Sequence, residues 1–377
     1  MQKGLCRFLT TAARTPAPSL VTPSWVHSAL SNGASDHGRI RILDASFHVP
    51  LQKRTMVQIG DKLSARDRVR RLLGLELKDI SDSELESPEI RKYLQESDDE
   101  VRNAVERNAR QEFAETRIQS ATFLDLGSVR DVLKSLPLSM PSAEDFSGFM
   151  NELGVLNSDH IVLYDSVGVH TSPRAWWLFK AMGHENVSII DGGLPAWMQE
   201  GFSTESSTEE PTPSSEPDFI ETYTATLQTE MVTEFQQMYT TVIDFAAVKV
   251  PVIIDCRSRD RHLGIGVEHV GSIKKMGTIP GSRHIHWTEF LDQKKSKTGA
   301  TFTTVKHPMD IIRVFKEQDR NIDLDREIIV FGHDGVSASV VCFCLHLLGK
   351  TSGMSLYDGG WMEWASRDGS PITQKFF

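Results

Sequence analysis

The signature Asp-Gly-Gly-x-x-x-Trp occurs twice in this chain, as Asp191-Gly192-Gly193 with Trp197 and as Asp358-Gly359-Gly360 with Trp364, 167 positions apart. A spaced signature of that kind marks a tandem duplication, so the two halves should fold alike. The length of 377 residues fits the same conclusion, because single hydrophobic cores stop growing well below it and chains of this size divide into domains.

Each half alternates short apolar runs with helical patterns. Residues 39–45, 161–164 and 187–190 in the first half correspond to 250–256, 328–331 and 354–357 in the second. Helical patterns follow at 172–182 and 337–348. Strands that alternate with helices predict an α/β fold, each half a small parallel sheet flanked by helices on both faces. The glycines after Asp191 and Asp358 allow positive φ, and the tryptophans that follow can cover the end of each sheet.

The halves differ in one large way: about 50 extra residues separate Asp44 from Arg117. The extra segment, about 54–111, is dense in both charge signs and carries amphipathic windows with hydroxyl-then-acid cap patterns at Ser64/Asp67 and Ser97/Glu100. It reads as a helical insertion, either a solvated excursion or a partner-binding appendage. Residues 203–217 collect Ser, Thr, Glu and three prolines and read as a linker. The expected organisation is a leader at 1–18, a first domain at 19–202, the linker, and a second domain at 218–377.

Up to Ser35 the only charges are Lys3, Arg7 and Arg14. An acid-free, arginine-bearing, hydroxyl-rich start resembles a mitochondrial transit peptide; the alternative is a short tail on a cytoplasmic protein. A net charge of −10 argues against nonspecific nucleic-acid or membrane-surface binding. No stretch reaches the roughly 20 apolar residues of a membrane span. The four cysteines, Cys6, Cys256, Cys342 and Cys344, form neither a disulfide framework nor a paired zinc motif. No cofactor and no metal are expected.

One loop stands out. The strand pattern 328–331 runs into Gly332-His333-Asp334-Gly335-Val336-Ser337 and then a helix. The other motifs are Ile42-Leu43-Asp44-Ala45-Ser46-Phe47, Ser172-Pro173-Arg174-Ala175-Trp176-Trp177, Gly183-His184, Ile253-Ile254-Asp255-Cys256-Arg257, Ile279-Pro280-Gly281-Ser282 and Gly335-Val336-Ser337-Ala338. Together with the paired turns they make the chain resemble the tandem-domain rhodanese family of thiosulfate and 3-mercaptopyruvate sulfurtransferases.

The resemblance implies two rhodanese-like domains and a sulfur-transfer site at that loop. In the family, a cysteine at the start of the loop takes sulfur from a donor as a persulfide and passes it to an acceptor. Converging backbone N–H groups and the following helix N-terminus stabilise the thiolate. Here Gly332 stands at the nucleophile position, and a glycine cannot form a persulfide. His333, Asp334, Gly335, Val336 and Ser337 complete the substrate or anion loop. A carboxylate about 5 Å from a donor anion costs roughly 3 kcal/mol at an effective dielectric of ~20, so Asp334 would oppose such a donor.

The other cleft candidates carried by the resemblance are Asp44, Arg174, Lys180, Asp255, Cys256 and Arg257. Arg174 matches the arginine expected to hold a substrate anion, whereas Lys180 replaces a second arginine and keeps only its charge. Arg117 and Thr278 stand where a histidine would be expected. Asp165, the first-half counterpart of Gly332, falls at a position that is noncatalytic in the family. Cys256 is the better substitute thiol, since Cys342 and Cys344 lie within the following helix and read as core. The functional expectation is a family member that has lost sulfur transfer, with a small sulfur-containing anion as its ligand. The alternatives are an active divergent sulfurtransferase using Cys256, and a scaffold that binds a protein partner through the insertion.

Overall fold

The computed structural model describes residues 17–31, 38–48, 107–134, 136–207, 222–244, 250–264, 275–297, 299–317 and 322–374. Most of the expected insertion, of the leader and of the linker lies outside the described residues.

The first unit contains β1 (Leu20–Val21), α1 (Pro23–Ser31), β2 (Ile40–Asp44), α2 (Ala109–Glu115), β3 (Arg117–Ile118), β4 (Thr122–Phe123), α3 (Ala143–Glu152), β5 (His160–Tyr164), α4 (Ser172–Ala181), β6 (Val187–Ile190), α5 (Gly193–Gln199) and β7 (Thr204–Glu205). The second contains β8 (Val232–Thr233), α6 (Phe235–Ile243), β9 (Val252–Asp255), α7 (Arg259–Leu263), β10 (Arg283–His284), β11 (Leu291–Lys295), β12 (Thr301–Val305), α8 (Pro308–Lys316), β13 (Ile328–Phe331), α9 (Val336–Leu347), β14 (Met354–Tyr357) and α10 (Gly360–Ser366).

The sheet orders are β1-β6-β5-β2-β4 and β10-β9-β13-β14-β8, and every neighbouring pair within them is parallel. Read in matching directions the two orders are the same, strand for strand. The duplication is therefore topological as well as sequential. β5 is buried along all five residues and β13 along all four, as expected of central strands covered on both faces.

The two units meet through the helices that follow those strands. Nine of the ten residues of α4 are buried, and α9 is apolar nearly all round. A helix without a polar face must be covered on every side. Each lies between its own sheet and the other helix, with Trp176 meeting Phe343 edge-on at 5.0 Å and His346 at 4.9 Å. One apolar core runs through both units as a result.

The signature tryptophans play matching parts. Trp197 and Trp364 are buried, and their indole N–H groups donate to the carbonyls of Ser203 and Pro371, each at 2.9 Å. Residues 222–228 run along the first unit before the second sheet begins: Tyr223 N donates to Asn151 Oδ1 at 2.7 Å and Gln228 N to the Ala181 carbonyl at 2.7 Å.

Candidate functional site

β5 and β13 end at corresponding edges of their sheets, and the loops leading into α4 and α9 face one another across the interface. In the first loop the carboxylate of Asp165 folds back onto its own backbone. Asp165 Oδ2 accepts from the amides of His170 (2.9 Å), Thr171 (3.0 Å) and Ser172 (2.9 Å) and from Ser172 Oγ (2.8 Å). Asp165 Oδ1 accepts from Val167 N at 3.1 Å. A buried anion at a helix N-terminus, ringed by N–H donors, is what such a loop is built to stabilise. In this unit the anion is supplied by the chain itself.

The second loop has no such side chain, because its first residue is Gly332. A methyl group built there would lie 2.3 Å from Ser337 Oγ, 3.3 Å from Ala338 N and 3.6 Å from Cys256 Sγ. The Ser337 hydroxyl therefore takes the space that any side chain at position 332 would enter. Asp334 Oδ1 accepts from Val336 N at 3.2 Å, so the loop's acid caps its own helix. Among the described residues no carboxylate reaches the amides of Ser337 and Ala338.

From the first unit, Arg174 enters this loop near the start of α4. It is 1% exposed, and its Nη2 donates to Asp358 Oδ1 at 2.7 Å and to the Leu138 carbonyl. The guanidinium lies over the Trp177 ring at 4.8 Å. Its Nη1 is buried without a hydrogen-bond partner among the described residues. A methyl group on Gly335 would come within 2.8 Å of that Nη1, and Gly335 itself has φ 90°. Both the backbone and the arginine require glycine there.

The Asp-Gly-Gly turns brace the loops from behind. Gly193 and Gly360 share φ 54°; a methyl group on Gly193 would stand 2.3 Å from the Asp165 carbonyl oxygen, and one on Gly360 would stand 2.6 Å from that of His333. This close approach lets Leu194 N donate to the Asp165 carbonyl at 3.0 Å and Trp361 N to the Gly332 carbonyl at 2.9 Å. The signature and the loop are one structural device, which is why they travel together in both halves.

A profile of the rhodanese-like domain matches residues 91–200 and 240–367. The chain belongs to the rhodanese family. It is 31% identical over 268 residues to a human 3-mercaptopyruvate sulfurtransferase, covering 69% of this chain and 81% of that protein. To a rat thiosulfate sulfurtransferase it is 29% identical over 263 residues, covering 69% and 81%. Among solved structures, the 3-mercaptopyruvate sulfotransferase SseA from Escherichia coli shares the fold with a TM-score of 0.62 at 24% identity, covering 92% of this chain and 99% of that one. The Tum1 protein from Saccharomyces cerevisiae does so with a TM-score of 0.66 at 21% identity, covering 96% and 99%.

The expected site residues divide sharply on this rhodanese frame. Gly332, His333, Asp334, Gly335, Val336, Ser337 and Arg174 come together, with Cys256 directly beneath. Cys256 is fully buried, and its thiol donates to the Phe331 carbonyl at 2.9 Å. Burial, reinforced by the neighbouring Asp255 charge, pushes this thiol well above its usual range. It is held neutral, the reverse of an activated thiolate. Cys342 and Cys344 are likewise buried and pushed up by burial.

Asp255 and Arg257 do not face the cleft. They form a knot below the sheet edge, in which Asp255 Oδ2 accepts from Arg257 Nη2 (2.8 Å), Thr278 Oγ1 (2.7 Å) and His262 Nδ1 (3.0 Å). Burial alone would raise the Asp255 carboxyl, but Arg257 and His262 hold it well below the usual range. Arg257 also covers the Trp361 ring at 4.3 Å. The knot is structural. Asp44 is buried at the equivalent place with no cation against it among the described residues; burial pushes it up to about 6 against the pull of bonds from Ser46 and Tyr164.

Lys180 is not in the cleft either. It lies in the last turn of α4, six residues or about 9 Å along the axis from Arg174, and pairs with Glu185. Arg117 is buried against Glu205 Oε1 at 2.9 Å and the Ser207 carbonyl at 2.8 Å, so residues 204–207, expected in the linker, are held to the first unit by β7 and this arginine.

Sequence reasoning missed several groups around the cleft. His170 stacks on Trp287 of the second unit at 4.9 Å, with its pKa lowered by burial against the opposing charges of Asp165 and Asp334. His48, Arg107 and Ser166 converge on Glu112, at 3.0 Å, 2.6 Å and 3.0 Å respectively. Asp358 was visible only as part of a turn. Only the repeat of the signature pointed to it, and nothing in the sequence names the partner it holds.

Proposed function

We propose that this protein is a noncatalytic rhodanese: it holds a small sulfur-containing anion between the second-unit loop and Arg174, and it does not carry sulfur covalently at position 332. One observation carries the reading. Where a persulfide-forming side chain would stand there is Gly332, with the Ser337 hydroxyl in the space beside it. The donors that surround Asp165 in the first loop support an anion-accepting role for the equivalent loop, whose own first residue supplies no carboxylate.

A second reading rests on the 3.6 Å between Cys256 Sγ and the position of a Gly332 methyl group. Cys256 would then serve as the sulfur acceptor. Its burial, its bond to Phe331 and its raised pKa argue against that role. Intact-protein mass spectrometry after incubation with thiosulfate or 3-mercaptopyruvate separates the two. The noncatalytic reading predicts no gain of about 32 Da, the mass of one added sulfur, on any cysteine; such a gain mapped to Cys256 would overturn it. Binding of thiosulfate by calorimetry, lost in Arg174→Ala, tests the anion site directly.

Two further roles belong to this proposal. The insertion at about 54–111 is assigned to a protein partner, and deleting residues 54–106, which spares α2 and its Asn108 cap, should abolish that association while the remaining chain still folds. The first 18 residues are assigned to mitochondrial import, and fused to a fluorescent reporter they should direct it to mitochondria.

A further inference from the structure

Asp358 and Asp191 are equivalent residues of the two Asp-Gly-Gly turns, yet they do different things. Each reaches across the interface to one backbone amide of the other unit: Asp358 Oδ2 accepts from Met140 N at 2.7 Å, and Asp191 Oδ1 accepts from Val305 N at 2.8 Å. Only Asp358 also grips an arginine. Its Oδ1 takes Nη2 of Arg174 at 2.7 Å, with the two side chains 10% and 1% exposed. That bond, the Leu138 carbonyl and the Trp177 ring fix three sides of the guanidinium, and the edge left over is Nη1, beside Gly335.

Resting on the anion-binding reading above, we infer that Asp358 is a positioning residue. By holding Nη2 it aims Nη1 of Arg174 into the second-unit loop, and it ties that aim to the pairing of the two units through Met140. A guanidinium fixed in advance loses less freedom on meeting an anion than a mobile one. A negative charge beside an anion site would by simple electrostatics weaken binding, so the positioning role has a sign of its own. Removing Asp358 should weaken anion binding, even though it removes a repulsive charge.

The test uses the full chain with thiosulfate as the probe. Asp358→Ala should raise the Kd for thiosulfate about tenfold, the loss expected when one charge-assisted bond stops orienting the arginine. Asp191→Ala removes the matching cross-unit acceptor without touching Arg174 and should leave the Kd within about twofold of the parent. Unchanged or tighter binding in Asp358→Ala would overturn the inference, as would an equal loss in both variants, which would assign the effect to unit pairing alone. Nitrogen-15 spectra of the arginine side chains read the positioning without any ligand. The Arg174 guanidinium signals should be resolved in the parent and in Asp191→Ala and averaged in Asp358→Ala; signals still resolved in Asp358→Ala would sink the claim. Should the parent bind no thiosulfate, the anion-binding reading fails by itself, and these spectra still decide what Asp358 does.

Discussion

Asp191, in the turn that closes the first sheet, accepts the amide of Val305 from the second unit at 2.8 Å, and Asp358 returns the contact by accepting Met140 N from the first. The repeated signature therefore does two jobs: its second glycine braces the adjacent loop, and its aspartate fastens the opposite unit. A cross-unit amide left without its acceptor costs about 1 to 3 kcal/mol where water does not replace it. Asp191→Ala should accordingly lower the unfolding free energy by that amount, read as a shifted urea midpoint. An unshifted midpoint would mean that water takes over the contact.

Introducing a thiol at position 332 has a trap built into it. Gly332→Cys would place a second thiol beside Cys256, whose Sγ lies 3.6 Å from the new Cβ position and within reach of a disulfide after a small shift. Under mild oxidation the single variant should lose both thiols to that bond and transfer little sulfur. Gly332→Cys combined with Cys256→Ser should instead gain about 32 Da from a sulfur donor. Peptide mapping decides it: two free thiols persisting in the oxidised single variant would refute the pairing.

Ser120 has φ 62°, a left-handed backbone in a residue that carries a side chain. It occupies the turn position that Gly281 fills in the second unit, at φ 79° with open space around it. The duplicated turn has the same shape in the first unit with serine in place of glycine. Ser120→Gly should therefore stabilise the protein by about 1 kcal/mol and Gly281→Ala should destabilise it by a similar amount. Thermal unfolding of the two variants checks the pair, and a destabilised Ser120→Gly would show that strain is not what matters at this turn.

Asp44 gives the fold a dependence on pH. Its folded pKa is raised from 3.8 to about 6 by burial, so the folded state holds this proton more tightly than the unfolded chain. The associated stability is fully present below about pH 4 and is lost as pH rises through about 6, an upper bound of about 3 kcal/mol for a shift of roughly two units. Asp44→Asn keeps an acceptor for Ser46 N and removes the charge. The variant should match the parent near pH 4 and exceed it in stability above pH 7, measured by denaturant unfolding across that range. A constant difference at every pH would exclude Asp44 as the source.

How far the sequence reached can be judged residue by residue. The central strands 328–331 and 354–357 emerged with the expected limits, because a short apolar run closed by a glycine turn has few other solutions in a parallel sheet. The structure brings Arg174 against Gly335 of the loop that begins at Gly332, a neighbourhood that the register of the repeat made legible. Lys180, Asp255 and Arg257 were expected in the cleft, yet each is paired elsewhere. Asp255 and Arg257 stand at and just past a strand end, where a charged side chain can face the cleft or its own sheet, and the choice depends on partners such as His262 and Thr278. Lys180 sits about a turn and a half beyond Arg174 and meets Glu185 instead.

The sequence by itself determined that the chain is duplicated, that each half is α/β, and that the loop before the second signature begins with Gly332. These are properties of local pattern and of residue identity at one aligned position. Only the tertiary structure decided that Ser337 takes the space beside Gly332, that Cys256 is sealed against Phe331, and that Asp358 rather than Asp191 holds an arginine. The first two are set by how β9, β13 and α9 pack within the second unit, and the third by the packing of α4 against α9. The two signatures are alike in sequence, but the surfaces they meet belong to different halves and are not the same.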